Sequence, residues 1–325
     1  MAVGHRLTLA AFLMLASAEA RAQLAGDIST GQYGLTAGTA PSIGLNLSLG
    51  VQEVLATSVS GPGGTVVQSS GSLNTFFVPV VSLWWVSPWT LLGGNFGMQL
   101  SMMGSSVRTD YPRLDSSSAT FGFGDLWLEP FGLSWHVPVA DVVAGFALYL
   151  PTGRYSPGAS TNTGLGQWGY EFSAGTTLWF DSGHHVNFAT MAVFDLYSPK
   201  AGAVGLDGTQ LHTGDVLSLQ GAIGYQFLDG ALNIGIPYSF LWKVTEDTLP
   251  PGIFPEEILT RLAAAKAWSG AIGLEVDYFW SASDGVVLRW VQVLGGINTA
   301  LGPSFFLTYS HQFTFGNTQT SGSTQ

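Results

Sequence analysis

Leu45-Asn46-Leu47-Ser48-Leu49-Gly50-Val51-Gln52 carries an apolar residue at every odd position and a polar or small one at every even position. Successive side chains of a strand point to opposite faces, so this octet predicts a strand with one apolar and one polar face. Similar runs fill most of the chain, and the connectors between them alternate in length. The turn Ser87-Pro88-Trp89 is tight, the next connector is a polar loop with Arg108, Asp110, Arg113 and Asp115, and Val137-Pro138-Val139 is tight again. Short turns at one end and long loops at the other are the connector pattern of a transmembrane antiparallel β-barrel of the bacterial outer-membrane type.

Composition narrows the alternatives. Mean hydropathy is +0.30 and only 10% of residues are charged, against about 25% in soluble domains. A helical membrane protein is the competing explanation. The longest uncharged stretch, Val54 to Val107, is interrupted by Pro79, Pro88 and Gly93-Gly94. Interior proline costs a helix about 3 kcal/mol and glycine about 1 kcal/mol. Only helices and closed barrels satisfy every backbone group in hydrocarbon, so the barrel stands. No cysteine is present, which excludes disulfides, thiolate catalysis and Cys-ligated metal. A net charge of −11 with ten scattered basic residues excludes nucleic acid as a partner.

The N-terminus reads as a secretory signal. His5 and Arg6 precede the apolar stretch Leu7 to Ala16, and Ala20-Arg21-Ala22 supplies an A-x-A site with cleavage before Gln23. Four regions follow: a signal peptide over 1–22, a periplasmic lead or lumen plug over 23–42, the barrel over 43–315, and a flexible polar tail over 316–325. Barrels of this kind usually end in an aromatic residue read by the barrel-assembly machinery. Here Gly316 to Gln325 follows Phe315, so Phe313 or Phe315 is expected to serve as an internal signal.

Twelve strands are predicted: Ile43 to Ala56, Leu73 to Val86, Leu91 to Val107, Gly122 to His136, Asp141 to Leu150, Tyr170 to Phe180, Val186 to Tyr197, Val216 to Phe227, Leu232 to Thr245, Ala267 to Phe279, Val286 to Leu294 and Ser304 to Phe315. The long loops fall after odd-numbered strands and the tight turns after even-numbered ones. Leu228-Asp229-Gly230 carries an Asp-Gly hairpin signal. Ser283-Asp284-Gly285 is read as the turn into the eleventh strand. An even strand count places both ends of the barrel in the periplasm.

Face assignment follows from alternation. Ile234, Ile236, Tyr238, Phe240, Trp242 and Val244 share one face, as do Phe305, Leu307, Tyr309 and Phe313; these faces are assigned to outer-membrane lipid. Trp84, Trp89, Trp179, Trp242 and Trp268 suit the interfacial aromatic girdles. Charges belong on the opposite face, because one on the lipid face costs roughly 2–4 kcal/mol at the midplane. The candidates for lining the lumen are Asp125, Glu129, Asp195, Lys243, Glu275, Asp277 and Arg289. Two roles compete for them: a structural ladder pairing Lys243 and Arg289 with Glu275 and Asp277, or a polar path for solute.

The longest insertion, Glu246 to Lys266, contains a helix-like stretch from Phe254 to Lys266. Pro255 stands near its start, acids follow in the first turn, and a base closes the last. Ile258, Leu259 and Leu262 form a short apolar stripe, either packed on the rim or forming the underside of a lid. Enzymatic chemistry has little support. His136, His184, His185 and His311 fall on the periplasmic side, His212 stands alone in an outer loop, and no nucleophile elbow or phosphate-cradling loop is present.

Three segments carry a resemblance to a known family. Gly122-Phe123-Gly124-Asp125-Leu126-Trp127-Leu128-Glu129-Pro130 with Trp135-His136 resembles the G-x-G-D-x-x-x-x-P…WH strand of the meta-pathway phenol-degradation proteins. Tyr149-Leu150-Pro151-Thr152-Gly153-Arg154-Tyr155 is similar to that family's A/L-P-T-G-x-Y/F element. Gly164-Leu165-Gly166-Gln167-Trp168-Gly169-Tyr170-Glu171-Phe172 matches its G-x-G-x-W…E-F stretch, and Thr213-Gly214-Asp215 also fits. The resemblance implies an outer-membrane barrel, found beside aromatic-degradation genes, that helps small hydrophobic or aromatic solutes cross. The expectation is therefore a passive outer-membrane channel without cofactor, metal or catalytic residues. The alternative is a structural or partner-binding barrel without transport activity, and a barrel hydrolase is the third.

Overall fold

The computed structural model describes residues 29–61, 63–67, 72–111, 116–156, 161–201, 210–247 and 267–313. Twelve antiparallel strands form one closed sheet. They are β1 Gly44–Ala56, β2 Ser72–Leu91, β3 Gly94–Tyr111, β4 in two pieces (Ser116–Phe123 and Leu126–Val137), β5 Ala140–Leu150, β6 Gly169–Trp179, β7 Val186–Tyr197, β8 Val216–Phe227, β9 Leu232–Lys243, β10 Trp268–Phe279, β11 Asp284–Ile297 and β12 Pro303–Phe313. Each pairs with its neighbours in sequence, and β1 closes the ring by pairing with both β2 and β12. Among the described residues no helix is long and apolar enough to cross a membrane; the chain crosses with strands, and closure leaves the barrel no free edge in hydrocarbon. It is a bacterial outer-membrane barrel.

Alternation in the sequence becomes alternation of faces. Along β9, Asn233, Gly235, Pro237, Ser239, Leu241 and Lys243 are buried while Ile234, Ile236 and Phe240 are exposed. On β12, Phe305 and Leu307 face out and Ser304 and Phe306 face in. The exposed apolar faces are the lipid surface, and the buried faces point into the lumen. The turn after β8 adopts left-handed backbone at Leu228, Asp229 and Gly230 (φ 53°, 54° and 87°). Asp and Gly tolerate that region best.

Several boundaries differ from the sequence-based expectation. Ser87-Pro88-Trp89 is not the turn: β2 runs on to Leu91, and the chain reverses at Leu92-Gly93. The ladder with β3 shifts register between Val86 and Thr90, and such an irregularity accommodates a proline that cannot donate to the ladder. The polar loop expected after Val107 is largely strand, because Ser- and Thr-rich alternation extends β3 to Tyr111 and opens β4 at Ser116. The fourth strand is broken at Gly124-Asp125. The turn expected at Ser283-Asp284-Gly285 is completed before Asp284, which already begins β11. The last outer connector is short and folded: Ala300–Leu301 pairs with Ser58–Ser60, which pairs with Val66–Val67. Trp84 does not join an aromatic girdle. It faces inward and packs against buried residues of the lumen, whereas Trp89 is exposed.

Candidate functional site

The segment Ser29 to Ser42 precedes β1 and runs inside the ring. Its backbone and one of its hydroxyls are held by side chains of six strands. Gln220 Oε1 on β8 accepts from Gly31 N at 2.8 Å and Gln32 N at 2.9 Å. Arg289 Nη1 on β11 donates to Gly31 O at 2.9 Å and Gln32 O at 2.7 Å. Glu275 on β10 accepts from Leu35 N at 3.2 Å, and Asn187 Nδ2 on β7 donates to Leu35 O at 2.7 Å. Thr177 on β6 accepts from Gly38 N at 3.2 Å, and Thr39 Oγ1 donates to Asp141 on β5 at 2.8 Å. A chain bonded to inward side chains on so many strands of a closed ring can only lie within it. It rises from Asp141, near the short-turn end, to Gln220 and Val291 partway up the wall.

One apolar side chain anchors this segment. Leu35 is 2% exposed. A β-carbon added at Gly224 or at Gly235 would strike Leu35 Cδ2. Those two glycines face each other in register on β8 and β9 and leave a recess that the leucine fills. Both are needed, since a methyl group at either position would occupy the leucine's place. Ala37 and Ala40 of the segment join Val143, Ala189, Met191, Val193 and Leu241 of the wall in a buried apolar cluster, with Tyr33 and Trp84 packed against it.

The seven acidic and basic candidates are all buried, but they do not act as one ladder. Arg289 and Glu275 form the expected pair, with Nε at 2.8 Å and Nη2 at 2.7 Å from the carboxylate. Asp277 lies beside Glu275 and opposite Asn233. Lys243 does not join them: it pairs with Asp247 at 2.7 Å. The register explains why. Glu275 sits opposite Gly235, eight residues along β9 from Lys243, which at ~3.3 Å per residue separates them by roughly 26 Å. Asp125 occupies the break in β4, where it accepts from Gly153 N at 2.8 Å and Leu165 N at 2.7 Å; it pins the β5–β6 loop to the wall. Glu129 and Asp195 lie in the outer half with Glu171, which sequence reasoning did not select although it stands in the G-x-G-x-W…E-F stretch. Gln220, Asn187, Thr177 and Leu35 were also missed. The available signal was their inward phase of alternation, shared with the charged residues. Ile258, Leu259 and Leu262 lie outside the described residues.

Histidines cluster at the short-turn end, as the connector pattern predicts. His136 bonds Asp141 at 2.8 Å, His185 bonds Asp181 at 2.7 Å, and His311 bonds Asp284 at 2.7 Å. His184 stacks on Trp179 and bonds Pro138 O at 3.0 Å. Asp181 is held down to about 2 by the Val186 N–H and by His185. Among the described residues no cluster of His, Asp and Glu is arranged to hold a metal ion.

Comparison with known proteins follows this geometry closely. The family model described as "Putative MetA-pathway of phenol degradation" matches residues 56–309. The crystal structure of the COG4313 outer membrane channel from Pseudomonas putida F1 superposes with a TM-score of 0.71 at 17% identity, covering 88% of this chain and all of that one. The transport unit of the autotransporter AIDA-I from Escherichia coli has a TM-score of 0.49 at 9% identity, covering 93% of this chain and 98% of that one. The translocator domain of NalP from Neisseria meningitidis has a TM-score of 0.46 at 12% identity, covering 84% and 89%. No curated protein sequence matches the chain.

Proposed function

Since the chain belongs to the family of the putative MetA pathway of phenol degradation, we propose that it is an outer-membrane channel for passive passage of small hydrophobic or aromatic compounds, closed at rest by residues 29–42. The carrying observation is the Ser29–Ser42 segment within the ring. A barrel built only as a scaffold would fill its lumen with wall side chains. Here a segment ahead of the first strand does the filling, and its contacts are short-range and separable: eight backbone or hydroxyl groups held by six strands and one leucine in a glycine recess. The similarity in fold to an outer membrane channel from Pseudomonas putida supports the same role. The apolar cluster of Val143, Ala189, Met191, Val193 and Leu241 offers an uncharged surface once the segment leaves. Passage of that kind needs no cofactor and no catalytic residue.

The test is solute flux into liposomes holding purified, heat-modifiable protein. Phenol, toluate or an alkane should enter faster than into empty liposomes, and deleting residues 23–41 should raise both flux and bilayer conductance. No flux above empty liposomes from a folded barrel refutes the channel; unchanged conductance on deletion refutes the stopper.

A further inference from the structure

We propose that Glu171 and Asp195, with Glu129 beside them, form a binding station in the outer half of the lumen for the ammonium group of a primary-amine solute.

Asp195 on β7 stands directly opposite Glu171 on β6. Both side chains point inward, and each residue is 1% exposed. Glu129 on β4 lies close to Glu171. It falls in the irregular stretch of the β4–β5 ladder between the Leu128–Leu148 and Phe131–Phe146 pairs, beside Ala147, which pairs with Glu171, and its carboxylate fills space left by Gly145. Three carboxylates thus share a poorly hydrated space. Lys243 holds Asp247 and Arg289 holds Glu275, each at 2.7 Å.

The independent observation is which oxygens lack donors. Glu171 Oε2 is fully occupied, accepting from Tyr149 OH at 2.8 Å and Trp127 Nε1 at 3.3 Å. These two bonds fix the carboxylate and turn Oε1 away from them. Glu171 Oε1, Asp195 Oδ1 and Asp195 Oδ2 are buried and have no hydrogen-bond partner. The Tyr197 hydroxyl beside Asp195 is the one donor that carboxylate has at hand, and a single hydroxyl cannot satisfy both of its buried oxygens. A native interior rarely tolerates buried acceptors without donors. A primary ammonium group supplies three N–H donors, enough to serve the open oxygens of both residues, and its charge relieves the carboxylate repulsion that a water molecule leaves in place. Acidic side chains lining a pore select cations in the same way. The aromatic surroundings fit an organic cation: Trp127 and Tyr149 flank the site, and Tyr33 of the lumen segment lies within electrostatic reach of all three carboxylates. Aromatic faces attract ammonium groups. Among the described residues these acids are not arranged as a metal-binding group.

The station concerns the lumen wall and stands whether or not solute crosses, so binding is measured apart from flux. The experiment is calorimetric titration of the folded full-length protein in detergent with benzylammonium chloride and, in parallel, with the neutral benzyl alcohol. Benzylammonium should bind saturably and at least about tenfold more tightly than benzyl alcohol, the scale of a charge-assisted hydrogen bond. Asp195→Asn and Glu171→Gln should each erase that preference while leaving benzyl alcohol binding unchanged. Equal binding of the two ligands by the wild-type protein overturns the station, as does full benzylammonium affinity in either variant that keeps heat-modifiable migration. The wild-type comparison decides the matter even if both variants misfold. Saturable ammonium binding without liposome flux would keep the station and refute the channel; flux with no charge preference would do the reverse.

Discussion

Replacing Leu35 with alanine tests how the lumen segment is held. The leucine is 2% exposed and its Cδ2 sits in the space left by Gly224 and Gly235. Truncating a buried leucine to alanine costs about 2–5 kcal/mol, depending on how far the site collapses. The recess is walled by strand backbone on β8 and β9, which a closed ladder keeps from collapsing, so a loss of about 3 kcal/mol is appropriate. Leu35→Ala leaves every polar anchor intact, since Leu35 binds Glu275 and Asn187 through its backbone. At about 1.4 kcal/mol per tenfold, the population with the segment displaced should rise roughly 150-fold. The assay is single-channel recording in planar bilayers, scored as the fraction of time in the large-conductance state seen with the 23–41 deletion. Leu35→Met, similar in volume, should stay within about tenfold of wild type. If the deletion raises conductance and Leu35→Ala does not, the glycine recess is refuted as the anchor, and the polar contacts alone hold the segment.

Gly235→Val should reach the same open state from the barrel side, because its side chain would take the place of Leu35; adding Leu35→Ala to it should produce little further opening in the same recording. Arg289→Met strands the Glu275 carboxylate in the interior and should lower barrel stability by about 3–5 kcal/mol in urea refolding titrations, with the Arg289→Met/Glu275→Gln double variant less affected than Arg289→Met. Ile236→Arg puts a charge on the lipid face of β9 and should cost roughly 2–4 kcal/mol in the same titration; no loss would mean that face is not in lipid. Asp181, held at about 2 by Val186 N–H and then by His185, binds fewer protons folded than unfolded. Its contribution is therefore present above the ordinary carboxylate range near 4 and lost as pH falls from there toward 2, so Asp181→Asn should flatten the pH dependence of stability in that window alone.

What the sequence reveals is what alternation encodes. Each strand carries its own inside and outside, so the barrel, the twelve strands and the inward phase of Asp195 or Glu275 are legible one strand at a time. Turn chemistry is equally local, and Leu228-Asp229-Gly230 reverses the chain as its residues predict. Errors arise where a neighbour overrides a local signal. Pro88 reads as a turn, but a register shift against β3 carries the strand past it. Trp84 reads as a girdle residue, but its phase on β2 turns it inward to the lumen cluster. The pairing of charges depends on register across strands, which alternation does not specify. Arg289 and Glu275 meet because β10 and β11 align them, while Lys243 turns to Asp247, four residues ahead in its own chain.

The recess for Leu35 shows why the lumen segment itself was only half legible. Its partners are two glycines on adjacent strands, and a glycine in a barrel strand carries no mark of whether it eases curvature or makes room. Only register brings Gly224 against Gly235, and only the entry of residues 29–42 gives their shared gap an occupant. The polar anchors follow the same logic. Gln220, Asn187 and Thr177 are ordinary inward residues of their strands, and each becomes specific by bonding a backbone group that arrives from elsewhere in the chain. A wall that holds a segment through its backbone groups places few demands on that segment's side chains. Leu35 is the exception, and it is therefore the residue of the segment whose replacement should matter most.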